Sequence, residues 1–455
     1  MKPALKLPLP LKVNLSALQV LLPVTGLLIG TTFLAVSDFS LGQRPYRYPF
    51  NFPRQTDAIK VLEQELAFYQ NRVQQSPNDG LDQAALASTY LRFAKATGEA
   101  NWYLLAEQAA ERSLANLPFN NAGAVLALAR VAEATHDFDR SIKLSQQVLE
   151  TNPSHEEAQA LLVTAYLGKG QVAEAFEGAD RLVQQIPTLG TYTLRALTNV
   201  AKGDNAAAER DFAKALAVEE PNQVGSSAWL RTLMGRFYAS RGQLALAEDY
   251  YHEALRLIPN YPLAMIQLAQ LETRQGHYRA AENRYSKILI NQGAANILDH
   301  SALQGLAQIK LLKGDRTAAE TLWQQAETVF RQHQSLGSFG HRRELVRLLL
   351  NRGLSSDLPE ALELMAAEIK MRQDAETLDT YAWALSRLNR WEEAQTALQT
   401  AIAKGTRSAV IFYRLGLVEQ HLGKAAQADG CFRQAMTIDP SFNQRDRQIW
   451  GLEEF

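Results

Sequence analysis

The sequence predicts an all-α chain, in which about ten stacked helical hairpins form a solenoid behind one transmembrane helix. Ala, Leu, Gln and Glu dominate the composition, whereas strand-like alternating runs rich in Val, Ile and Thr are scarce. Small and aromatic residues recur with a period of 34 residues along most of the chain. A single long uncharged segment lies near the amino terminus, at residues 15–36.

The first 36 residues predict a membrane anchor. Residues 1–14 contain Lys2, Lys6 and Lys12 but no acid, and the next 22 residues carry no charge. A helix of that length spans the hydrocarbon core of a bilayer, which is about 30 Å thick. The alternative is a cleavable signal, which usually has a shorter apolar stretch, with Ser40 and Gly42 near its cleavage point.

The charges around this span predict its direction only weakly, because the lysines before it face arginines after it. The short first segment favours residues 1–14 as a cytoplasmic tail, with the repeats outside in a periplasm-like compartment. Gly26 and Gly30 form a Gly-x-x-x-Gly pair on which another membrane helix could pack closely. Glycine is also common in membrane helices generally, so the pair does not require such a partner.

Residues 37–55 predict an extended linker between the span and the repeats. Three prolines alternate there with four aromatic residues, Tyr46, Tyr48, Phe50 and Phe52. Each proline removes a backbone donor and pushes the preceding residue out of helical space. Aromatic side chains beside a membrane span suit the headgroup layer, but they also suit docking to a partner protein, and both interpretations stay open.

Residues 56–81 predict an amphipathic capping helix, and the repeats follow. The period is clearest in six residues with gaps of three, nine, four, three and five: Gly235, Tyr238, Ala247, Tyr251, Ala254 and Pro259. The same gaps separate Gly416, Glu419, Ala428, Phe432, Ala435 and Pro440. Gaps of three and four place Ala247, Tyr251 and Ala254 on one helix face, where the small residues let a second helix approach. Each copy therefore forms a helical hairpin.

This pattern resembles the tetratricopeptide repeat. The resemblance implies a right-handed superhelix with contacts between neighbouring repeats and a concave binding surface. We expect one block of repeats at residues 82–333 and a second at 342–442, with residues 334–341 as a hinge. Residues 443–455 are too few for another repeat, which predicts a cap or a tail that uses Trp450 and Phe455 as contacts.

The resemblance also places ten side chains on the concave wall, where a partner's helix or extended peptide would bind. They are Trp229, Arg236, Ile266, Gln270, Arg274, Gln308, Trp383, Arg387, Tyr413 and His421. Trp and Arg often dominate binding energies, so Trp383, Arg387 and Trp229 lead this set. Trp229 and Trp383 could equally cover the packing between repeats.

Composition and motifs indicate a protein without catalytic chemistry, cofactor or metal. The formal charge is −1 and no basic face or arm stands out, which argues against nucleic acid as a partner. Cys431 is the only cysteine, so the chain has no intrachain disulfide and no thiolate metal cage. The eight histidines lack metal-binding spacing, and the sequence has neither a phosphate loop nor a nucleophile elbow.

Together these features predict a membrane-anchored scaffold that binds protein partners through its groove, as an assembly or structural subunit of a membrane or envelope complex. The alternative is an accessory or regulatory subunit of an enzyme encoded by another chain, in a cell-wall, polysaccharide or electron-transfer system. Both hypotheses rest on the uncharged span and the repeats together.

Overall fold

The computed structural model describes residues 46–51, 55–97, 99, 101–221, 223–290, 298–335 and 341–453. The predicted tail and span at residues 1–36, with Gly26 and Gly30, lie outside these ranges and stay predictions. So do Phe52, Phe455 and most of the expected hinge. Among the described residues, no helix combines the length and the apolar character that crossing a bilayer requires.

Twenty-two α-helices make up the described chain. The first, α1 (Gln55–Gln75), precedes ten hairpins, and α22 (Gln444–Ile449) follows them. Hairpins 1 to 5 are α2 (Gly80–Thr97) and α3 (Asn101–Asn116), α4 (Ala122–Ala134) and α5 (Phe138–Thr151), α6 (Glu156–Lys169) and α7 (Val172–Gln185), α8 (Leu189–Lys202) and α9 (Asn205–Ala217), and α10 (Val224–Ala239) and α11 (Leu244–Leu257). Hairpins 6 to 10 are α12 (Pro262–Gln275) and α13 (Tyr278–Ile290), α14 (Asp299–Leu312) and α15 (Arg316–Ser335), α16 (Arg342–Arg352) and α17 (Leu358–Met371), α18 (Ala375–Arg387) and α19 (Trp391–Ala403), and α20 (Ala409–His421) and α21 (Ala425–Ile438).

In hairpins 5 and 10, a glycine on the first helix meets an aromatic ring on the second. In hairpin 5, a Cβ atom built on Gly235 would overlap the ring of Tyr251. Gly416 stands in the same relation to Phe432 in hairpin 10. Ala247 and Ala254, which flank Tyr251 at helical spacing, are fully buried. The spacing in the sequence thus corresponds to the packed face of the second helix.

We expect Ala247→Trp to lower the free energy of unfolding by about 1 to 3 kcal/mol. Ala247 is enclosed by Tyr251, Leu268 and Leu271, which leave no room for an indole. Thermal unfolding of the variant tests this, with Ala245→Trp on the exposed face of the same helix as its control. An unchanged melting temperature for Ala247→Trp would mean that α11 packs through another face.

Hydrophobic packing continues across the boundary expected between the two blocks. Trp323 and Phe330 of α15 share one core with Leu345 and Leu349 of α16. The Arg352 guanidinium at the end of α16 lies 2.7 Å from Glu327 of α15. This shared core argues against a hinge between residues 82–333 and 342–442.

The hairpins also contact one another at long range, which corrects the expectation that only adjacent repeats touch. The turns inside hairpins 3, 4 and 5 lie against the loops that follow hairpins 8, 9 and 10. The Gln373 amide donates to the Lys169 carbonyl at 3.0 Å, and Lys404 Nζ donates to the Gly170 carbonyl at 3.1 Å. Successive superhelical turns are therefore in direct contact, with an offset of five hairpins.

Gly203 is the tightest point of this contact. It ends α8 at φ 78°, a left-handed conformation that costs glycine little. A Cβ atom on Gly203 would overlap the carbonyl oxygen of Gly405, and one on Gly405 would overlap the carbonyl oxygen of Lys202. Only two glycines let these backbones approach so closely.

Candidate functional site

The first helices of hairpins 6 to 10 share a surface that holds the end of the chain. We call this surface of α12, α14, α16, α18 and α20 the inner wall, and residues 439–452, which lie on it, the C-terminal segment. The segment contains α22, which begins at the cap formed by the Asn443 side chain. It therefore occupies the wall on which the sequence predicts a partner.

Arg274, in the last turn of α12, fixes one end of the C-terminal segment. Its Nη2 lies 2.6 Å from Asp439 Oδ2 and donates to Ser441 Oγ at 2.8 Å, while its Nε lies 2.6 Å from Asp446 Oδ1. Its Nη1 donates to the Ala239 carbonyl at 2.8 Å. Burial raises the pKa of Asp446, and the Arg274 charge opposes that rise. One guanidinium thus contacts two buried carboxylates and a hydroxyl.

Trp450 fixes the other end. The Arg347 guanidinium of α16 lies 4.9 Å from the centre of the Trp450 ring, within cation–π range. Arg414 of α20 donates to the Trp450 carbonyl at 3.1 Å. The next residue, Gly451, approaches the Trp383 ring so closely that a Cβ atom would overlap it. Helices α16, α18 and α20 together form the pocket for this end.

Two of the predicted wall residues hold the middle of the C-terminal segment. Gln308 of α14 donates to the Gln448 carbonyl at 3.4 Å. The Tyr413 hydroxyl accepts from Arg447 at 3.2 Å, and the Tyr413 ring lies 5.5 Å from that of Phe442. The segment thus contacts the inner wall along its whole length.

Four of the ten predicted groove residues therefore meet on the inner wall: Arg274, Gln308, Trp383 and Tyr413. Trp383 also packs in the hydrophobic core of hairpins 7 to 9, as the packing alternative expects. Arg236 and Gln270 are exposed, whereas Trp229 and Arg387 are half-buried. Arg387 donates to the Leu350 carbonyl at 3.4 Å.

Two predicted groove residues lie elsewhere, and these assignments are corrected. Ile266 is 3% exposed and packs in the core with Ala269 and Tyr285, because its face of α12 is turned towards α13. His421 stacks on Trp391 with ring centres 4.1 Å apart, at the edge where the turns of hairpins 9 and 10 lie. Neither side chain contributes to the inner wall.

The aromatic linker residues pack on the chain's own helices. Tyr46 and Tyr48 are buried, so neither ring is available to lipid headgroups or to a partner. The Tyr48 amide donates to Glu253 at 2.8 Å, and Arg231 Nε donates to the Tyr46 carbonyl at 2.7 Å. Phe50 is half-buried beside Tyr48, with ring centres 5.4 Å apart. The linker thus docks on hairpin 5, and the headgroup interpretation is corrected for both tyrosines.

A polar cluster that sequence spacing did not indicate lies where hairpin 2 meets hairpins 7 and 8. The His341 ring is 5.8 Å from that of His136 and 4.7 Å from that of His300. Arg343 pairs with Glu344 at 2.8 Å. These residues come from distant repeats, so no local motif could bring them together. Within the described ranges, no group of His, Cys, Asp and Glu is arranged to hold a metal ion.

We expect Glu344→Gln to lower the free energy of unfolding by about 1 to 3 kcal/mol near neutral pH. Burial alone would raise the pKa of Glu344, but Arg343 and Arg372 outweigh it and hold that pKa well below its usual range. A depressed carboxylate pKa stabilises the fold above the unfolded value, and this contribution disappears as pH falls through the folded value.

Urea unfolding of both proteins at stepwise lower pH measures this contribution. The difference between wild type and Glu344→Gln should be full near neutral pH and shrink below about pH 4.5. Glu111→Gln, at an exposed position of α3, is the control and should show no such trend. A difference that is constant with pH would contradict the depressed pKa.

Comparison with known proteins identifies the repeats. The family model described as "Tetratricopeptide repeat" matches residues 126–189, 193–262 and 382–441. Hairpins of this family generally mediate protein–protein interactions. The chain therefore contains tetratricopeptide repeats on both sides of the expected hinge.

Three curated proteins resemble parts of the chain. "Tetratricopeptide repeat protein 8" of Caenorhabditis elegans is 26% identical over 45% of this chain and 40% of its own length. "Cellulose synthase operon protein C" of Pseudomonas fluorescens (strain SBW25) is 26% identical over 38% of this chain and 14% of its own length. "Uncharacterized protein ycf37" of Pyropia yezoensis is 33% identical over 15% of this chain and 39% of its own length. Each alignment covers less than half of the relative.

Proposed function

We propose that this protein is a membrane-anchored scaffold that recruits a protein partner to its inner wall. The contacts of Arg274 carry the proposal, since one side chain of the wall holds two carboxylates of a peptide segment at 2.6 Å. The wall also offers Trp383 and Tyr413, aromatic side chains of the kind that contribute most to binding. The repeats support this function, and no catalytic role is proposed.

Crosslinking in intact membranes followed by affinity purification of the full chain tests the scaffold. We expect a reproducible protein partner whose recovery falls with Arg274→Gln and stays unchanged with Arg210→Gln. Arg210 is an exposed residue of α9, remote from the inner wall. Recovery of no reproducible partner would refute the scaffold function.

The anchor and its direction are part of the proposal. Residues 15–36 would hold the chain in the membrane with residues 1–14 in the cytoplasm and the repeats outside. The docking of Tyr46 and Tyr48 on hairpin 5 supports a short tether, because few residues remain between the span and the array. Protease digestion of sealed vesicles tests the direction, since repeats outside the cytoplasm would resist a protease added to the cytoplasmic face.

A second candidate is an accessory subunit of a polysaccharide-synthesising enzyme made by other chains. The likeness to a protein named "Cellulose synthase operon protein C" favours it. Deletion would then reduce the activity of that enzyme while its other subunits still assemble. Unchanged polysaccharide synthesis after deletion would exclude this candidate and leave the scaffold function standing.

A further inference from the structure

We infer that one end of the coil, formed by the loops after hairpins 1 to 5, lies on the surface of a lipid bilayer and inserts Leu81 and Phe119 into it. We call these loops the loop edge; they are residues 117–121, 152–155, 186–188, 218–223 and 258–261. This inference rests on the proposed function, because it takes the membrane anchor as given and adds the surface of the array that faces lipid.

The loop edge makes up one complete circuit of the coil. Successive superhelical turns are offset by five hairpins, and the turns inside hairpins 3 to 5 are covered by the loops after hairpins 8 to 10. The loop edge is therefore one end of the coil. The other end is formed by the turns inside hairpins 6 to 10, which we call the turn edge: residues 276–277, 313–315, 353–357, 388–390 and 422–424.

The two ends differ in charge. With histidine neutral, Glu219 and Glu220 are the only ionised residues in the sequence of the loop edge, and Glu219 is buried in its pair with Arg231. The turn edge carries five ionised residues of both signs: Lys313, Asp315, Asp357, Arg390 and Lys424. Moving an ionised side chain out of water is costly, so the loop edge is the end that suits contact with lipid.

Large apolar side chains are exposed at the loop edge. Phe119, in the loop after hairpin 1, is 79% exposed, and Leu81, at the start of α2, is 66% exposed. Gly80 packs against Leu117, which places Leu81 beside the same loop. Each of the five loops also has an exposed proline: Pro118, Pro153, Pro187, Pro221 and Pro259. Phe and Leu are side chains that interfacial segments bury at the boundary between headgroups and acyl chains.

The short chain between the predicted span and Tyr46 also favours the loop edge. Tyr46 packs against Leu230 and Met234, near the middle of α10. From the rise of an α-helix, the loop edge is ~10 Å from this point, whereas the turn edge lies beyond the rest of α10 and a whole further hairpin, ~30 Å away. Residues 37–45 span at most ~30 Å when fully extended. The linker thus reaches the loop edge with slack, and the turn edge only when it is fully stretched.

The experiment uses the full chain in phosphatidylcholine vesicles, with Cys431→Ser and one introduced cysteine that carries a fluorescent label. Ser154→Cys places the label on the loop edge, and Lys313→Cys places it on the turn edge; both residues are exposed. Nitroxide groups on the lipid headgroups quench a fluorophore that lies close to the bilayer surface. Labelling at residue 154 leaves Leu81 and Phe119 unchanged.

We expect the headgroup nitroxides to quench the label at residue 154 at least about twofold more than the label at residue 313, and Leu81→Ser together with Phe119→Ser to reduce the quenching at residue 154 by about half. Both side chains are exposed, so the double change should leave the chain folded, which circular dichroism melts verify. Because the loop edge has no basic residue, replacing part of the lipid by anionic phosphatidylglycerol should not increase the quenching.

Three results would overturn the inference. The first is equal quenching of the two labels, and the second is quenching at residue 154 that the double change does not reduce. The third is a label at residue 154 that is shielded from aqueous iodide but not quenched by lipid, since a protein would then cover the loop edge.

Extraction of the vesicles with alkaline carbonate tests the anchor separately. A chain that carbonate removes, although lipid quenched its label at residue 154 beforehand, would refute the anchor of the proposed function and leave the lipid contact standing. A chain that resists extraction but shows equal quenching at residues 154 and 313 would refute only this inference.

Discussion

Arg231→Ala lowers the free energy of unfolding by about 3 to 5 kcal/mol, the largest loss we expect from a single substitution. Arg231 has 0% exposure and pairs through both terminal nitrogens with Glu219, which is buried beside it. It also donates to the carbonyls of Tyr46 and Ser227 at 2.7 and 3.1 Å. Alanine would leave the buried Glu219 carboxylate without a counter-charge.

Denaturant unfolding measures this loss, and two further variants identify its cause. Arg210→Ala, on the exposed face of α9, should change the free energy of unfolding by no more than about 0.5 kcal/mol. The double change Arg231→Met with Glu219→Met removes both charges and should recover much of the loss. If the double variant is as unstable as Arg231→Ala, the loss comes from packing and not from the unpaired charge.

Gly203→Ala costs about 2 to 4 kcal/mol, the second largest effect, from two causes that add. The left-handed backbone at φ 78° penalises any Cβ atom, and the new methyl group would overlap the Gly405 carbonyl. Since that carbonyl is part of the backbone, relief requires hairpin 4 and the loop after hairpin 9 to separate.

Gly314→Ala is the matched control for Gly203→Ala. Gly314 has φ 81° and no atom within 4 Å of a Cβ, so alanine there adds only the backbone penalty of about 1 to 2 kcal/mol. Urea unfolding of the two variants gives the cost of the contact as their difference. Equal losses would mean that the superhelical turns do not press on each other at this point.

The hairpins could be predicted because each is specified by residues close together in the sequence. Gly235 and Tyr251 meet across one turn, so the small-then-aromatic spacing already contains their contact. No spacing in the sequence indicates the contact of Gly203 with Gly405. A local turn already explains why each of these positions is a glycine. Long-range packing of this kind depends on superhelical curvature, which a single period does not determine.

The candidate site was predictable only in part, for the same reason. The resemblance to the tetratricopeptide repeat implied that Trp383 and Arg274 lie on a concave wall. The occupant of that wall was expected to come from another protein, although Trp450 was already a candidate contact. Tyr46 and Tyr48 were interpreted from the nearby predicted span, whereas buried Arg231 and Glu253 are the groups that bind them.

The contact between superhelical turns also determines how the chain folds. Repeat arrays with neighbour contacts alone can nucleate anywhere and lengthen one unit at a time. Here the backbone hydrogen bond from the Gln373 amide to the Lys169 carbonyl joins segments that are far apart in the sequence. Closing a loop of that length slows folding. During synthesis, hairpins 3 to 5 emerge before the loops that cover their edges exist. We therefore expect hairpin 3 to be covered once the loop after hairpin 8 exists, and hairpin 5 only after hairpin 10 has formed.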